Sequence, residues 1–192
     1  MAESDTAVAN RALQMLGSRR ISSLGQDSPN ARSMNVAFMP VRDALLRAHP
    51  WNFAISRASV AADPVQTAYE GLNRYLKPND FLALVRDKFT AVRNDRQDWV
   101  VEGKHIVTTD SSPLQFRYIR RVEDPKEFDP LFDELLAARL ALETVDDITD
   151  SNTKEQTLID LVATKLLAAK SANAFENDSD DPPEDPWVAV MR

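Results

Sequence analysis

The sequence predicts an α+β fold: mainly a helical bundle of four helices, with a small antiparallel β-rich insert and an extended C-terminal arm. Towards both ends of the chain, apolar residues recur every three or four positions, which is the period of an amphipathic helix. Between these regions, short alternating runs replace the helical period and indicate strands. Residues 176–186 hold six acids, three prolines and no basic residue, so this stretch lacks the apolar side chains that a core needs.

The first two helices are predicted from their end signals. The first runs from Ser4 or Asp5, which are both good N-cap residues, to Gly17, which suits a helix C-terminus. The second begins with Ser28 as its N-cap and Pro29 in its first turn, where a missing N–H costs nothing.

The second helix contains one proline and is stopped by another. Pro40 lies within the apolar pattern, so we expect a kink or a split there, because proline removes a backbone hydrogen bond and crowds the preceding turn. The helix ends near His49, since Pro50 disfavours helical geometry at the residue before it.

Four strands are predicted in the insert, at residues 82–85, 99–101, 106–108 and 114–118. In the last of these, Leu114, Phe116 and Tyr118 face one way and the intervening polar residues face the other. Turn residues separate the later runs at hairpin-like spacing, which favours antiparallel pairing.

Two more helices complete the predicted bundle. Asp129 and Pro130 repeat the pattern of an N-cap followed by proline, and residues 152–155 have the pattern of a capping box for the last helix. The predicted organisation is therefore a bundle built from residues 1–50 and 124–175, an insert at 51–123 and an acidic extended arm at 176–192.

The composition argues against several classes of function. The chain has no cysteine, which excludes disulfides and thiolate catalysis, and its two histidines are too few for a histidine-rich metal centre. It has no glycine-rich phosphate loop, no G-x-S-x-G and no H-E-x-x-H motif. No apolar run approaches the roughly 18 residues that a membrane span needs, and the N-terminus lacks the features of a signal peptide. We predict no catalytic residues, no metal ligands, no cofactor and no membrane insertion.

Charge is distributed unevenly along the chain. Residues 1–62 carry seven arginines and four acids, a net charge of +3, whereas residues 121–192 carry seven basic and eighteen acidic residues, a net charge of −11. This charge asymmetry suits a subunit whose oppositely charged surfaces bind different partners. A solvated acidic tail that keeps the protein soluble accounts for it equally well, so both interpretations stay open.

The segment HPWNFA at residues 49–54 is the densest unusual stretch of the chain. Burial of Trp51 and Phe53 would fix the junction between the second helix and the sheet, and Asn52 would bond exposed backbone there. His49, at the helix end, suits the capping of free carbonyls. We interpret these four residues as a structural junction in preference to a ligand site.

Several segments together resemble one family of virion proteins. They are NRALQMLG at 10–17, ISSL at 21–24, SPNAR at 28–32, VRDALLRAHPWNFA at 41–54, YIRRVEDP at 118–125, FDPLF at 128–132 and LLAARLA at 135–141. The set resembles the tail tubular protein A family, the head-to-tail adaptors of short-tailed bacteriophages. The resemblance spans about residues 5–175 and is most specific at 41–54.

The resemblance implies a structural protein of the virion tail, assembled in the host cytoplasm. Members of the family form a ring of twelve copies around the DNA exit channel, with the portal protein above and the tail nozzle protein below. The expected partners are therefore copies of this chain, the portal and the nozzle. Contact with passing DNA is expected to be transient and independent of its sequence.

The apolar end of the arm predicts a docking segment, because an apolar cluster after a solvated linker needs a surface to bind. Trp187 is the expected anchor, since large aromatic side chains dominate interface energetics. The expected binding partner of the arm is the portal or a neighbouring subunit. The residues assigned to this contact are Asp180, Asp181, Glu184, Asp185, Trp187, Val188 and Val190.

Two alternatives from other classes are weighed beside the adaptor. A virion-associated glycan hydrolase would use a carboxylate pair about 5–9 Å apart, and acid pairs stand at residues 146–147 and 180–181. Acidic residues are so frequent in this chain that chance explains these two pairs better than catalysis does. A small DNA-binding regulator would use the N-terminal arginines, but the net charge of −7 argues against it.

Overall fold

The computed structural model describes residues 4–64, 71–85, 99–149 and 151–176. These residues contain five α-helices and six β-strands. The helices are α1 (Asp5–Met15), α2 (Pro29–Ala48), α3 (Pro130–Glu143), α4 (Val145–Thr149) and α5 (Asn152–Phe175). The strands are β1 (Ile55–Val60), β2 (Asn73–Leu76), β3 (Phe81–Val85), β4 (Val100–Glu102), β5 (His105–Thr108) and β6 (Leu114–Arg120).

The architecture is mixed α+β, and the prediction of a four-helix bundle with one small sheet is wrong. The described residues form five helices and two separate three-stranded antiparallel sheets. The extra helix arises at Thr144, which leaves helical geometry with φ −111° and ψ 7°. Its hydroxyl donates to the Leu140 carbonyl at 2.8 Å, and α4 begins at the next residue. Apolar residues continue at helical spacing across this break, so the sequence pattern does not indicate it.

The two sheets have the strand orders β1-β6-β3 and β2-β5-β4. Antiparallel pairing is as expected, but β1 and β2 are absent from the predicted strands. Neither strand shows a clear alternation of large apolar and polar residues. The sequence of β1 is ISRASV, and that of β2 is NRYL. They form because β6 and β5, which lie far away in sequence, supply their hydrogen-bonding partners. A local pattern cannot show such pairing.

Most of the predicted helix ends are found. The side chains of Ser4, Ser28 and Asp129 accept N-cap hydrogen bonds from the first turns of α1, α2 and α3. Gly17 follows α1 with φ +68°, a conformation that glycine adopts without strain. The capping box expected at 152–155 is wrong: the N-cap of α5 is Ser151, whose side chain makes no capping bond.

Pro40 does not split α2, which is one helix from Pro29 to Ala48. The proline lies on the exposed side of the helix. The carbonyl that loses its donor belongs to Val36, a residue that is 76% exposed. A carbonyl on this exposed side of the helix can be hydrated, and this accounts for the tolerance of the proline at this position.

Helix α3 is the centre of the main core, with Phe132, Leu135, Leu136 and Leu140 fully buried. Helices α1, α2 and α5 all pack against it. The same core takes in Leu82 of β3 and Ile119 of β6, together with residues of all five helices. A second cluster under the sheets is built from Tyr75, Ile106, Leu114, Phe116 and Tyr118. The division of the chain near residues 50 and 124 stays a prediction.

Candidate interaction surfaces

The predicted junction segment lies against the N-terminal turn of α3. Trp51 is buried, and its indole N–H donates to the Leu45 carbonyl at 2.9 Å. Its ring meets that of Phe132 edge-on, with 5.3 Å between centroids. Phe53 packs on Phe132 and Phe128, with centroid distances of 5.0 and 5.9 Å. The structure thus brings the aromatic residues of the segment together in the main core.

Asn52 and His49 both contact Asn173 near the C-terminus of α5. The Asn52 backbone N–H donates to Asn173 Oδ1 at 2.8 Å, and Asn52 Nδ2 donates to the Asn173 carbonyl at 3.1 Å. Burial and then the nearby Lys170 lower the pKa of His49. A neutral ring accepts a proton donor at Nε2, where the Asn173 amide lies at 3.2 Å. No pattern in the sequence singles out Asn173, because its partners lie more than a hundred residues away.

An open groove of about 430 Å³ lies beside this junction. Asn52, Ile55, Ser56, Arg57 and Arg117 line it. Arg57 of β1 is directly opposite Arg117 of β6 in the strand register, so both side chains project on the same face of the sheet. Two arginines therefore line the same groove, and sequence reasoning missed this because they are sixty residues apart in the chain.

Two charge clusters fix the helices relative to one another and to the first sheet. Asp43 accepts from Arg42 Nε at 3.0 Å and from Arg121 Nε at 2.7 Å, and the Arg42 side chain is only 3% exposed. Glu134 of α3 pairs with Arg11 of α1 and with Lys165 of α5, whose Nζ is at 2.6 Å.

Two carboxyl groups have pKa values that are shifted in opposite directions, for different reasons. Hydrogen bonding to Lys165, reinforced by Arg11, lowers the pKa of Glu134. Burial raises the pKa of Asp5 at the start of α1, against the opposing effect of Arg42. Glu134 is therefore stabilised as an anion that joins three helices, whereas Asp5 is a partly buried acid that its surroundings disfavour as an anion.

Exposed apolar side chains are concentrated on two helices and on one sheet. On α2 they are Val36 and Met39. On α5 they are Ile159, Leu167 and Phe175, of which Phe175 is 89% exposed. On β2 and β4 they are Leu76, Val100 and Val101. Because contiguous exposed apolar patches mark interaction sites, these three groups of residues are the candidate interaction surfaces.

The residues assigned to the arm contact lie outside the described residues. They are Asp180, Asp181, Glu184, Asp185, Trp187, Val188 and Val190. The pair Asp146 and Asp147 is exposed on the short helix α4. Across residues 4–64, 71–85, 99–149 and 151–176 no three potential metal-ligating side chains form a cluster. In the same ranges, every helix is too short or too polar to cross a bilayer.

The chain matches no family model, and no curated protein matches it significantly. The interaction surfaces described above are therefore interpreted from their own geometry and chemistry.

Proposed function

We propose that the protein is a structural virion protein, the head-to-tail adaptor subunit of a short-tailed bacteriophage. In this role it forms a ring between the portal and the tail nozzle, around the channel through which DNA leaves. The observation that carries the proposal is the presence of separate exposed apolar faces on α2 and α5, two helices that both pack on α3. The residue resemblance adds the identity of the ring and of its two stacked partners.

The α2 face has an apolar centre between two cations. Val36, Met39 and Pro40 are exposed along the middle of the helix, with Arg32 before them and Arg47 after them. Apolar side chains of this size stabilise an interface by roughly 1.5–3 kcal/mol each when they become fully buried. The arginines at both ends favour an acidic partner surface.

The α5 face has the geometry of a helix-packing ridge. Ile159, Ala163 and Leu167 are exposed at steps of four residues, and Phe175 continues the row two steps later. Rows with this spacing pack into the grooves of a second helix. Exposed acids lie beside its N-terminal half, at Asp147 in α4 and Asp160 in α5.

A ring of identical subunits is a closed assembly in which one face of each copy contacts a different face of the next. The arginine-flanked α2 face and the acid-flanked α5 face are unlike and complementary, which is what such a contact requires. We assign them to the two sides of a ring subunit. Twelve copies is the number that the resemblance implies.

The remaining surfaces are assigned to the stacked partners. The second sheet exposes Leu76, Val100 and Val101 and is the surface that we assign to the nozzle. The arm from residue 178 to 192 is assigned to the portal or a neighbour, with Trp187 as its anchor. DNA in the channel is contacted transiently and without sequence preference. The protein belongs to the virion tail and is assembled in the host cytoplasm.

The test is co-assembly with the portal of the same virus, followed by sedimentation and negative-stain microscopy. The full chain is expected to add a second ring to the portal. A variant that lacks residues 177–192 is expected to fold and to stay unbound. Failure of the full chain to bind contradicts the adaptor role, and unchanged binding of the shortened chain contradicts the role of the arm alone.

A further inference from the structure

Helices α2 and α5 begin at the same end of the subunit. Asn30, in the first turn of α2, donates from Nδ2 to Ser18 Oγ at 2.9 Å and to the Arg19 carbonyl at 3.0 Å. Lys154, in the first turn of α5, donates from Nζ to the Leu16 carbonyl at 2.6 Å. The short segment that follows α1 therefore contacts the beginnings of both helices.

The two helices also end close together. The Nε2 atom of His49, the C-cap of α2, lies 3.2 Å from Nδ2 of Asn173 in the last turn of α5. Helix α2 has 20 residues and α5 has 24. At about 1.5 Å per residue, their lengths are about 30 and 36 Å. Two helices of similar length whose beginnings and ends both lie close together run in the same direction.

This common direction restricts how two copies pack in a ring. A closed ring of six or more copies relates neighbours by a rotation of about 60° or less, and a ring of twelve by about 30°. Such a rotation cannot reverse a helix, so α5 of one copy stays closer to parallel than to antiparallel with α2 of the next. The crossing angle of about 20° that is common for packed helices lies within this range.

The charges at the two helix beginnings are opposite in sign. Arg19 and Arg20 are exposed shortly before α2, and Arg32 is exposed in its first turn. Asp147 is exposed shortly before α5, and Asp160 is exposed in its N-terminal half. A parallel contact between copies brings these arginines to these acids, whereas an antiparallel contact separates them. The charges therefore favour the same direction as the symmetry does.

The exposed faces of the two helices also have the same residue spacing. On α2, three exposed side chains follow one another at steps of seven and eight residues: Arg32, Met39 and Arg47. On α5, three exposed side chains follow at the same two steps: Asp160, Leu167 and Phe175. Steps of seven and eight residues keep side chains on one face of a helix. The two sets therefore match one to one when the helices are parallel.

We propose that α2 of one copy packs in parallel on α5 of the next copy, in the register that pairs Arg32 with Asp160. In this register the two central apolar side chains meet, and Arg47 lies over the ring of Phe175 in a cation–π contact. The Arg32 side chain is 70% exposed, and its ion pair with Asp27 is 4.0 Å long and too exposed to compete. The proposal rests on the adaptor role and adds to it the direction and register of the contact between neighbours.

The absence of cysteine lets introduced thiols report the register. Two full-chain variants are assembled on the portal and oxidised, one with Arg32→Cys and Asp160→Cys, the other with Arg32→Cys and Ala174→Cys. The second pair tests the antiparallel alignment of the same apolar centres. A disulfide needs Cα atoms within about 7 Å. We expect only the first pair to give a ladder of linked chains beyond the dimer, because each copy then links to two neighbours.

A charge exchange tests the same pair without a crosslink. Arg32→Glu is expected to raise the chain concentration at which half of the portals carry a ring by at least about tenfold, because like charges then face each other. Adding Asp160→Arg is expected to restore assembly. Arg57→Glu, the same change of charge at an exposed position on β1, is the control and should assemble as the parent chain does.

The outcomes separate this contact from the adaptor role. A ladder from the variant with Ala174→Cys overturns the parallel direction. Rings that give no ladder from either variant, and that the charge exchange does not restore, overturn the contact between α2 and α5. Both results leave the adaptor role standing. A parent chain that forms no ring on the portal contradicts the adaptor role, and the proposed contact falls with it.

Discussion

Asn52 and Asn173 are joined by two hydrogen bonds, from the Asn52 backbone N–H to Asn173 Oδ1 at 2.8 Å and from Asn52 Nδ2 to the Asn173 carbonyl at 3.1 Å. One residue lies where α2 gives way to β1, and the other lies in the last turn of α5. The pair therefore fixes the C-terminal end of α5 to the start of the first sheet. Any segment that leaves α5 departs from a defined place on the surface.

Asn173→Ala is expected to lower the free energy of unfolding by about 1–2 kcal/mol, because the half-buried Asn52 backbone N–H loses its acceptor, Asn173 Oδ1, while the Asn173 carbonyl that accepts from Asn52 Nδ2 remains. Urea denaturation followed by circular dichroism measures the change. Ser171→Ala, on the exposed side of the same turn, is the control and should change stability by less than about 0.5 kcal/mol. Equal effects of the two variants would show that the Asn52–Asn173 contact does not stabilise the fold.

Asp43→Ala is expected to lower the free energy of unfolding by about 3 kcal/mol. The variant leaves Arg42, a cation whose side chain is only 3% exposed, without its closest carboxylate. Asp27→Ala is the matched control. The Asp27 side chain is 96% exposed, and its ion pair with Arg32 is 4.0 Å long, so its loss should lower the free energy of unfolding by less than about 0.5 kcal/mol. Thermal and urea unfolding measure both variants. A small effect of Asp43→Ala would mean that water, or Asp5 nearby, satisfies Arg42.

Because the pKa of His49 is lowered in the folded protein, we expect the stability of the protein to depend on pH. Burial and Lys170 lower its pKa in the folded protein, so the unfolded chain binds the proton more readily. The stability that neutral His49 contributes is complete above about pH 6.5, the ordinary histidine value, and is lost as pH falls through the folded value. NMR titration is expected to place His49 below the usual range. A value at or above it, or a His49→Gln variant with the same acid sensitivity between about pH 6.5 and pH 5, contradicts this account.

Leu167→Glu is expected to leave the subunit folded and to abolish ring formation on the portal, because it places a charge in the centre of the α5 row. Val36→Glu on α2 is expected to do the same from the other side of the contact. Gln156→Glu, on α5 outside the row, adds the same charge and should assemble normally. Negative-stain microscopy counts the rings. Normal rings from both Leu167→Glu and Val36→Glu would rule out the α2 and α5 faces as the contact between neighbours.

The local signals in the sequence predict the starts of α1, α2 and α3 correctly. Ser4, Ser28 and Asp129 each act as N-caps, since capping depends on a side chain and the next three residues. The break at Thr144 was missed because the apolar period continues through it. β1 was missed because its pairing partner β6 begins more than fifty residues later, and because its sequence, ISRASV, contains too few large apolar residues to indicate a strand.

The junction residues were visible in the sequence, but their partners were not. Trp51 and Phe53 signal burial through their size, and both lie in the aromatic cluster with Phe132. Asn173 and the Arg57–Arg117 groove depend on contacts that only the folded chain creates. The proposed adaptor function rests on the residue resemblance and on the exposed apolar faces of α2 and α5.

The most direct test of the adaptor role is electron microscopy of the tails of the short-tailed phage that this role implies as the source of the chain. The account predicts density for this fold as a closed ring between portal and nozzle, with the α2 and α5 faces of adjacent copies in contact. Mature particles that lack the protein, or that carry it elsewhere than between these two components, would contradict it.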